Sequence, residues 1–158
     1  MKKDDSRIRL FLTKSNRYWK EPQMIKKGKV VKYIANPDKK NRTFFLVSSN
    51  NENVARLEFY LKTFCGSFVD PVKAVVHVFE PNFAFELNLS EKGILYNAED
   101  FSIICPKPSH INVVDGDVQA VDVGPCAGSV EAYCADEKYE FLAVALMIAL
   151  QAYRNRSF

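Results

Sequence analysis

The residue types that could do chemistry are few, and their spacing matches no catalytic pattern. His77 lies inside an apolar, strand-like run, so a structural histidine is the alternative to a catalytic base there. Cys65 could act as a nucleophile only beside a cation or a helix N-terminus, in the wall of a pocket. Motifs for nucleotide binding, serine hydrolysis and zinc proteolysis are missing. The sequence therefore predicts a non-catalytic protein that uses no cofactor.

Metal-binding patterns are equally weak. Asp115, Asp117 and Asp122 lie in and near a hairpin turn, but a calcium loop also needs a regular series of ligands and a closing glutamate. The cysteines form no C-x-x-C pair, and a structural zinc site needs four clustered ligands. We therefore expect a solvated turn, no bound metal and four reduced thiols, at Cys65, Cys105, Cys126 and Cys134.

Basic residues are concentrated in the first part of the chain. Residues 1–43 carry fourteen Lys and Arg against four Asp and Glu, a balance of +10, whereas residues 44–158 have a balance of −7, and the net charge is +3. This asymmetry is typical of a basic face that meets something anionic. The predicted binding residues are Arg17, Trp19, Lys20, Lys26, Lys27, Lys29, Lys32, Lys39, Lys40 and Arg42.

Several partners suit cations that lie beside aromatic side chains. An acidic protein is the partner that we expect first, and the alternatives are an anionic phospholipid headgroup and single-stranded nucleic acid. Two interpretations need no partner: the lysines protect a solvated strand edge, or the basic segment packs against the acidic remainder of its own chain. Our hypothesis is a non-catalytic binding module or assembly subunit.

Short apolar runs separated by turn signals predict a mostly β (α+β) fold. Asn36-Pro37-Asp38 is a turn signal and predicts a hairpin across residues 36–41. Residues 83–89 alternate apolar and polar types, as a half-buried strand does. The spacing of the runs predicts an antiparallel sandwich or barrel of about eight to ten strands. Asn53–Phe64 fits either a strand or a helix, and its aromatic content slightly favours the strand.

The chain ends in a strongly apolar segment. Phe141–Leu150 contains no polar residue, acidic residues precede it and Arg154 and Arg156 follow it, which suits the dipole of a helix. A helix that is apolar on every side must be surrounded, and ten residues are fewer than the roughly 20 that span a bilayer. We predict a buried C-terminal helix over residues 136–156, in a single domain (1–158) whose residues 1–7 are flexible.

The expected location is the cytoplasm, with the nucleus as the alternative. The N-terminal residues 1–6 have no apolar core of the kind that secretory signals have. The unpaired cysteine pattern agrees with a reducing compartment.

The C-terminal sequence resembles a known fold. It reads Val130-Glu-Ala-Tyr-Cys-Ala-Asp-Glu-Lys-Tyr-Glu-Phe-Leu-Ala-Val-Ala-Leu-Met-Ile-Ala-Leu. A strand, then Asp and Tyr, then an Ala/Leu/Val-rich helix is similar to the end of LURP-one-related proteins, which share the tubby C-terminal-like fold with tubby proteins and phospholipid scramblases. The resemblance implies a β-barrel with a hydrophobic C-terminal helix through its centre, and an anionic phospholipid as ligand. The Lys/Arg phosphoinositide motif of tubby has no counterpart here, so no functional residue carries over.

Overall fold

The computed structural model describes residues 7–13, 20–38, 40–64, 67–79, 82–88, 93–98, 101–107 and 109–154. Within these ranges the chain forms twelve strands, a 3-10 turn at Glu137–Tyr139 and one helix, α1, at Glu140–Arg154. The strands are β1 (Ile8–Leu12), β2 (Gln23–Lys27), β3 (Val30–Asp38), β4 (Thr43–Ser48), β5 (Asn53–Phe64), β6 (Ser67–Phe79), β7 (Asn82–Asn88), β8 (Gly93–Asn97), β9 (Phe101–Cys105), β10 (Ile111–Asp115), β11 (Val118–Cys126) and β12 (Ser129–Cys134).

The strands form one antiparallel sheet that curls into a nearly closed barrel. Their order is β7-β6-β5-β4-β3-β2-β1-β12-β11-β10-β9-β8, so the only non-consecutive neighbours are β1 and β12. The prediction of a mostly β, barrel-like fold is confirmed, but twelve strands exceed the expected eight to ten. One strand that the sequence pattern missed is β2, whose sequence Gln-Met-Ile-Lys-Lys resembles a polar loop because only one face of it is buried.

The ambiguous segment Asn53–Phe64 is a strand, β5. Its side chains alternate between the two faces of the sheet: Leu57 and Phe59 are buried, while Arg56 and Tyr60 are exposed. Both neighbouring strands pair with it: β6 from Ala55 to Phe64, and β4 with the first half, from Asn53 to Glu58. The predicted hairpin is also confirmed, although β3 continues to Asp38 and the chain turns after it.

The aromatic side chains of β7, β8 and β9 fill the seam between the two edge strands. Phe83 of β7 meets Phe101 of β9 edge-on, with ring centroids 5.8 Å apart. Phe85 of β7 lies 5.0 Å from the ring of Tyr96 on β8. Side-chain packing therefore closes the barrel where the ladder of backbone hydrogen bonds ends.

Helix α1 is buried inside this sheet. Every residue from Leu142 to Ala152 is buried, and the inward side chains of the strands belong to the same core as the helix. The helix begins at Glu140, four residues later than predicted, because Asp136 has extended backbone and caps the preceding turn by accepting a hydrogen bond from the Lys138 N–H. Among the described residues, no helix has the length and apolarity to cross a membrane.

Polar contacts fix both ends of α1 to the rim of the barrel. Tyr139 Oη donates to Asp115 Oδ2 at 2.7 Å just before the helix begins. Arg154 Nη1 donates to the Ser129 carbonyl oxygen at 2.6 Å in its last turn. Strands β10 and β12 run in the same direction, so the end of β10 at Asp115 and the start of β12 at Ser129 lie at opposite ends of the barrel. The helix therefore runs from one end of the barrel to the other. We call the end of the barrel where α1 begins and β2 turns into β3 the Lys29 end. The opposite end, where β3 turns into β4, is the Lys40 end.

We predict that a charge in the middle of α1 unfolds the protein. Ala145 and Leu146 are completely buried, so Ala145→Asp or Leu146→Lys should cost several kcal/mol, a large part of a total stability of about 5–15 kcal/mol. Circular dichroism during thermal unfolding measures this. Leu146→Met is the control and should unfold cooperatively near the wild-type temperature. Cooperative unfolding of either charged variant would show that the helix is not enclosed.

Candidate functional site

The basic segment of the sequence forms β2, β3 and the turns at their ends. Both strands are interior, because β2 lies between β1 and β3, and β3 lies between β2 and β4. The edges of the sheet are β7 and β8. The interpretation that these lysines protect an exposed strand edge is therefore wrong for β2 and β3.

The structure divides the predicted cations between the two ends of the barrel. Those of the first group surround the β2–β3 turn at the Lys29 end: Lys26, Lys27, Lys29 and Lys32. Those of the second group lie before β2 or in the β3–β4 turn, at the Lys40 end: Lys20, Lys40 and Arg42. Strand β3 separates the groups by nine residues, or about 30 Å. Three predicted residues lie outside the described part of the chain: Arg17, Trp19 and Lys39.

Two of the lysines at the Lys29 end pair with a buried carboxylate. Glu140, the first residue of α1, is 1% exposed. Its Oε1 accepts hydrogen bonds from Lys32 Nζ at 2.7 Å and from Tyr33 Oη at 2.6 Å. Lys27 Nζ lies 3.4 Å from Oε2. A buried carboxylate is therefore fully compensated at the mouth of the barrel, and we call these four residues the Glu140 cluster.

The pKa values in the Glu140 cluster reflect the pairing. Burial alone would raise the pKa of Glu140, but hydrogen bonds from Lys32 and Tyr33 and the two lysine charges hold it below its ordinary value. Burial likewise opposes the charge of Lys32, yet the hydrogen bond and charge of Glu140 raise its pKa. Burial and the Glu140 hydrogen bond raise the pKa of Tyr33. Glu140 and Lys32 therefore stabilise one another in their charged forms.

Two arginines, Arg7 directly before β1 and Arg9 within it, also pair with the acidic part of the chain. Arg7 Nη1 contacts Asp122 Oδ2 at 2.8 Å. Arg9 donates from Nε and Nη2 to Glu131 Oε2 at 3.0 and 2.9 Å. The interpretation that the basic segment packs against its own acidic remainder is thus confirmed for Arg7, Arg9, Lys27 and Lys32.

The four other described lysines of the predicted binding set make no ion pair with a described residue. Lys20, Lys29 and Lys40 are exposed and Lys26 is half-buried. These four remain available for a partner, two at each end of β2 and β3.

An apolar patch that the charge pattern did not reveal lies between these two groups. Met24 pairs with Ile34 across β2 and β3, and Ile34 pairs with Val47 across β3 and β4. Phe45 lies next to them on the same outward side of β4, two residues before Val47. Met24 is 44% and Phe45 46% exposed. Strand alternation could have revealed the patch, had β2 been recognised as a strand.

We call this surface the β2–β4 face. It comprises the four outward apolar residues and the four lysines without an ion pair: Met24, Ile34, Phe45, Val47, Lys20, Lys26, Lys29 and Lys40.

The residues considered for catalysis or metal binding have ordinary structural surroundings. His77 Nε2 lies 2.6 Å from Asn82 Oδ1, and its ring packs on Phe79. Asp115 accepts the Tyr139 hydroxyl, and Asp122 pairs with Arg7. Cys65 lies outside the described residues. In the described ranges, no three His, Cys, Asp or Glu side chains are grouped as metal ligands would be.

No protein-family model matches the chain, and neither the curated proteins nor the solved structures yield a match. The residues and their geometry therefore carry the functional argument.

We predict that the loss of the Lys32 charge destabilises the protein more than the loss of the Glu140 charge. Lys32→Met leaves the buried carboxylate undercompensated and should cost about 3 kcal/mol of unfolding free energy or more. Glu140→Gln removes the buried charge, and both lysines can turn towards water, so the cost should be about 1–3 kcal/mol. Urea unfolding of both variants at neutral pH gives the comparison. A larger cost for Glu140→Gln would contradict this assignment.

We also predict that the effect of Glu140→Gln depends on pH. Because folding lowers the pKa of Glu140, its ionised form stabilises the protein above the ordinary value of 4.5, and this contribution disappears as pH falls through the folded-state pKa. The difference in unfolding free energy between wild type and Glu140→Gln should therefore shrink between neutral pH and about pH 3. A pH-independent difference would mean that Glu140 acts through packing alone.

Proposed function

We propose that this protein is a non-catalytic binding module or assembly subunit that engages an acidic protein partner through the β2–β4 face. The observation that carries the proposal is the apolar patch on this face, bounded at both ends by lysines that make no ion pair with a described residue.

The composition of the face supports a protein partner over a phosphate backbone. The central parts of protein interfaces are apolar and depleted of charge, with Met and Phe enriched, and their rims are polar. Met24 and Phe45 occupy the centre here, while Lys29 and Lys40 lie at the rim. A target recognised only through phosphates would leave the apolar patch unused.

The spacing of the lysines restricts what can bind. The two groups are about 30 Å apart along β3. A partner that contacts both must place acidic side chains at the ends of a surface of this length and apolar side chains between them. A helix of about 20 residues or an extended segment of about nine residues has this reach. Rim charges of this kind mainly accelerate association and select the partner.

Peptide selection tests this proposal without a known partner. Displayed random peptides of about 20 residues, selected on the protein, should be enriched in acidic residues that flank apolar ones. Fluorescence anisotropy then measures the affinity of a selected peptide. Phe45→Glu should weaken it by about tenfold or more, and the combination of Lys26→Glu, Lys29→Glu and Lys40→Glu should weaken it similarly at low salt.

Val118→Glu is the matched control, because Val118 is as exposed as Phe45, at 46%, and lies on β11 outside the face. Lys27 and Lys32 stay unchanged in these variants, since their loss would disturb the Glu140 cluster. Peptides without acidic enrichment, or equal binding to Phe45→Glu and Val118→Glu, would contradict the proposal.

An anionic phospholipid-binding protein of tubby-like fold is the second candidate. A sheet that curls around a buried C-terminal helix supports it, because this is the plan that the sequence resemblance implies. Co-sedimentation with vesicles of phosphatidylcholine alone and with added phosphatidylserine, at about 50 mM salt, tests it. Binding only to the anionic vesicles, lost in the triple lysine variant, would favour lipid over protein. Salt-sensitive binding to single-stranded RNA in the same assay would favour the nucleic-acid alternative.

A further inference from the structure

A polar cleft lies on the outer wall of the barrel, away from the β2–β4 face. Its volume is about 520 Å³, which is in the range of small-molecule sites. Strands β10, β11 and β12 form its floor, and strand β1 separates it from β2. The charged and imidazole side chains that line it are Arg7, Lys107, His110, Asp122 and Glu131.

A glycine makes room for the His110 ring in the wall of this cleft. Gly124 pairs with Glu131 in β12, so it faces outward, and it lies two residues before the end of β11. Its backbone has no positive φ, so conformation does not require glycine here. A Cβ atom at this position would lie 3.1 Å from Cδ2 of His110, whose ring therefore lies directly over the glycine. Glycine inside a strand often marks such a close approach.

The two carboxylates of the cleft are already neutralised. Asp122 pairs with Arg7 at 2.8 Å, and the Asn112 amide, oriented with its nitrogen inward, donates to the other carboxylate oxygen at 2.7 Å. Glu131 receives two hydrogen bonds from Arg9. Neither carboxylate therefore repels an incoming anion as an isolated charge would.

A cation remains at the Lys40 end of the cleft. Lys107 is exposed and makes no ion pair with a described residue. Its carbonyl oxygen accepts hydrogen bonds from the His110 N–H at 3.2 Å and from the Cys105 thiol at 3.2 Å. These bonds hold Lys107 and His110 in place relative to the end of β9. Lys107 and His110 thus both line this end of the cleft, and Lys107 brings a positive charge that makes no ion pair with a described carboxylate.

We propose that this cleft binds a metabolite-sized molecule through a carboxylate or phosphate group held by Lys107 and His110. Amide groups of Asn112 and Gln119 line the remaining length of the cleft and can bind polar parts of the same molecule. The site does not depend on the β2–β4 face, so either proposal can fail without the other.

The two histidines of the chain provide the test. Imidazole resonances of His110 and His77 are followed by NMR during separate titrations with inorganic phosphate and with citrate. His110 should shift with saturation while His77, which lies on β6 beside Asn82, should not. Saturation by citrate at a lower concentration than by phosphate would indicate a carboxylate ligand, and the reverse would indicate a phosphate ligand.

Two variants distinguish a specific binding site from nonspecific attraction of anions by surface charge. Lys107→Gln should weaken the His110 response by about fivefold or more, whereas Lys138→Gln, a change at another exposed turn lysine, should leave it unchanged. Gly124→Ala should displace the His110 ring and abolish saturation without unfolding the protein. Equal shifts of both histidines, a response that does not saturate, or full binding by Lys107→Gln would overturn the proposal.

Discussion

The structure depends on one requirement: a helix that is apolar on every side must have protein all around it. A surface helix hides one stripe, and a flat sheet could cover only one side of α1. A sheet that curls until its edges meet covers all sides, and the twist of antiparallel strands allows this closure. The long β5–β6 pair and the terminal strands β11 and β12 all contact α1, so strands far apart in sequence depend on the same helix.

This burial also determines which charges of the basic segment are structural. The helix begins at the mouth of the barrel with Glu140, whose carboxylate cannot reach bulk water. Lys27, Lys32 and Tyr33 compensate it, so two of the conspicuous lysines serve the fold. Arg7, directly before β1, and Arg9, within β1, likewise pair with Asp122 and Glu131 of the acidic part of the chain. The asymmetry of charge along the chain is therefore partly an internal complementarity between its two parts.

Local patterns predicted much of the fold, whereas the sites depend on contacts between distant residues. The uniform apolarity of Phe141–Leu150 was enough to predict a buried helix, and the alternation of residues 83–89 predicted a strand. Strand β2 was missed because only Gln23 and Ile25 are buried in it. Lys32 and Glu140 are separated by 108 positions, and no local pattern indicates that they meet. The cleft was missed for the same reason, since Arg7 and Asp122 come together only when β1, from the start of the chain, pairs with β12 in the middle of the sheet.

A filled interior leaves the outside of the barrel for the proposed binding role. Many barrels of this size hold a ligand between their strands, but here the side chains of α1 occupy that space and belong to one continuous core. Under the proposed function, binding then uses the outer wall of the barrel. The outer wall carries the outward apolar residues Met24 and Phe45 on neighbouring strands of the β2–β4 face, and the polar cleft beside Gly124 and His110. Neither contributes to the core, and this is why a binding role explains them better than stability does.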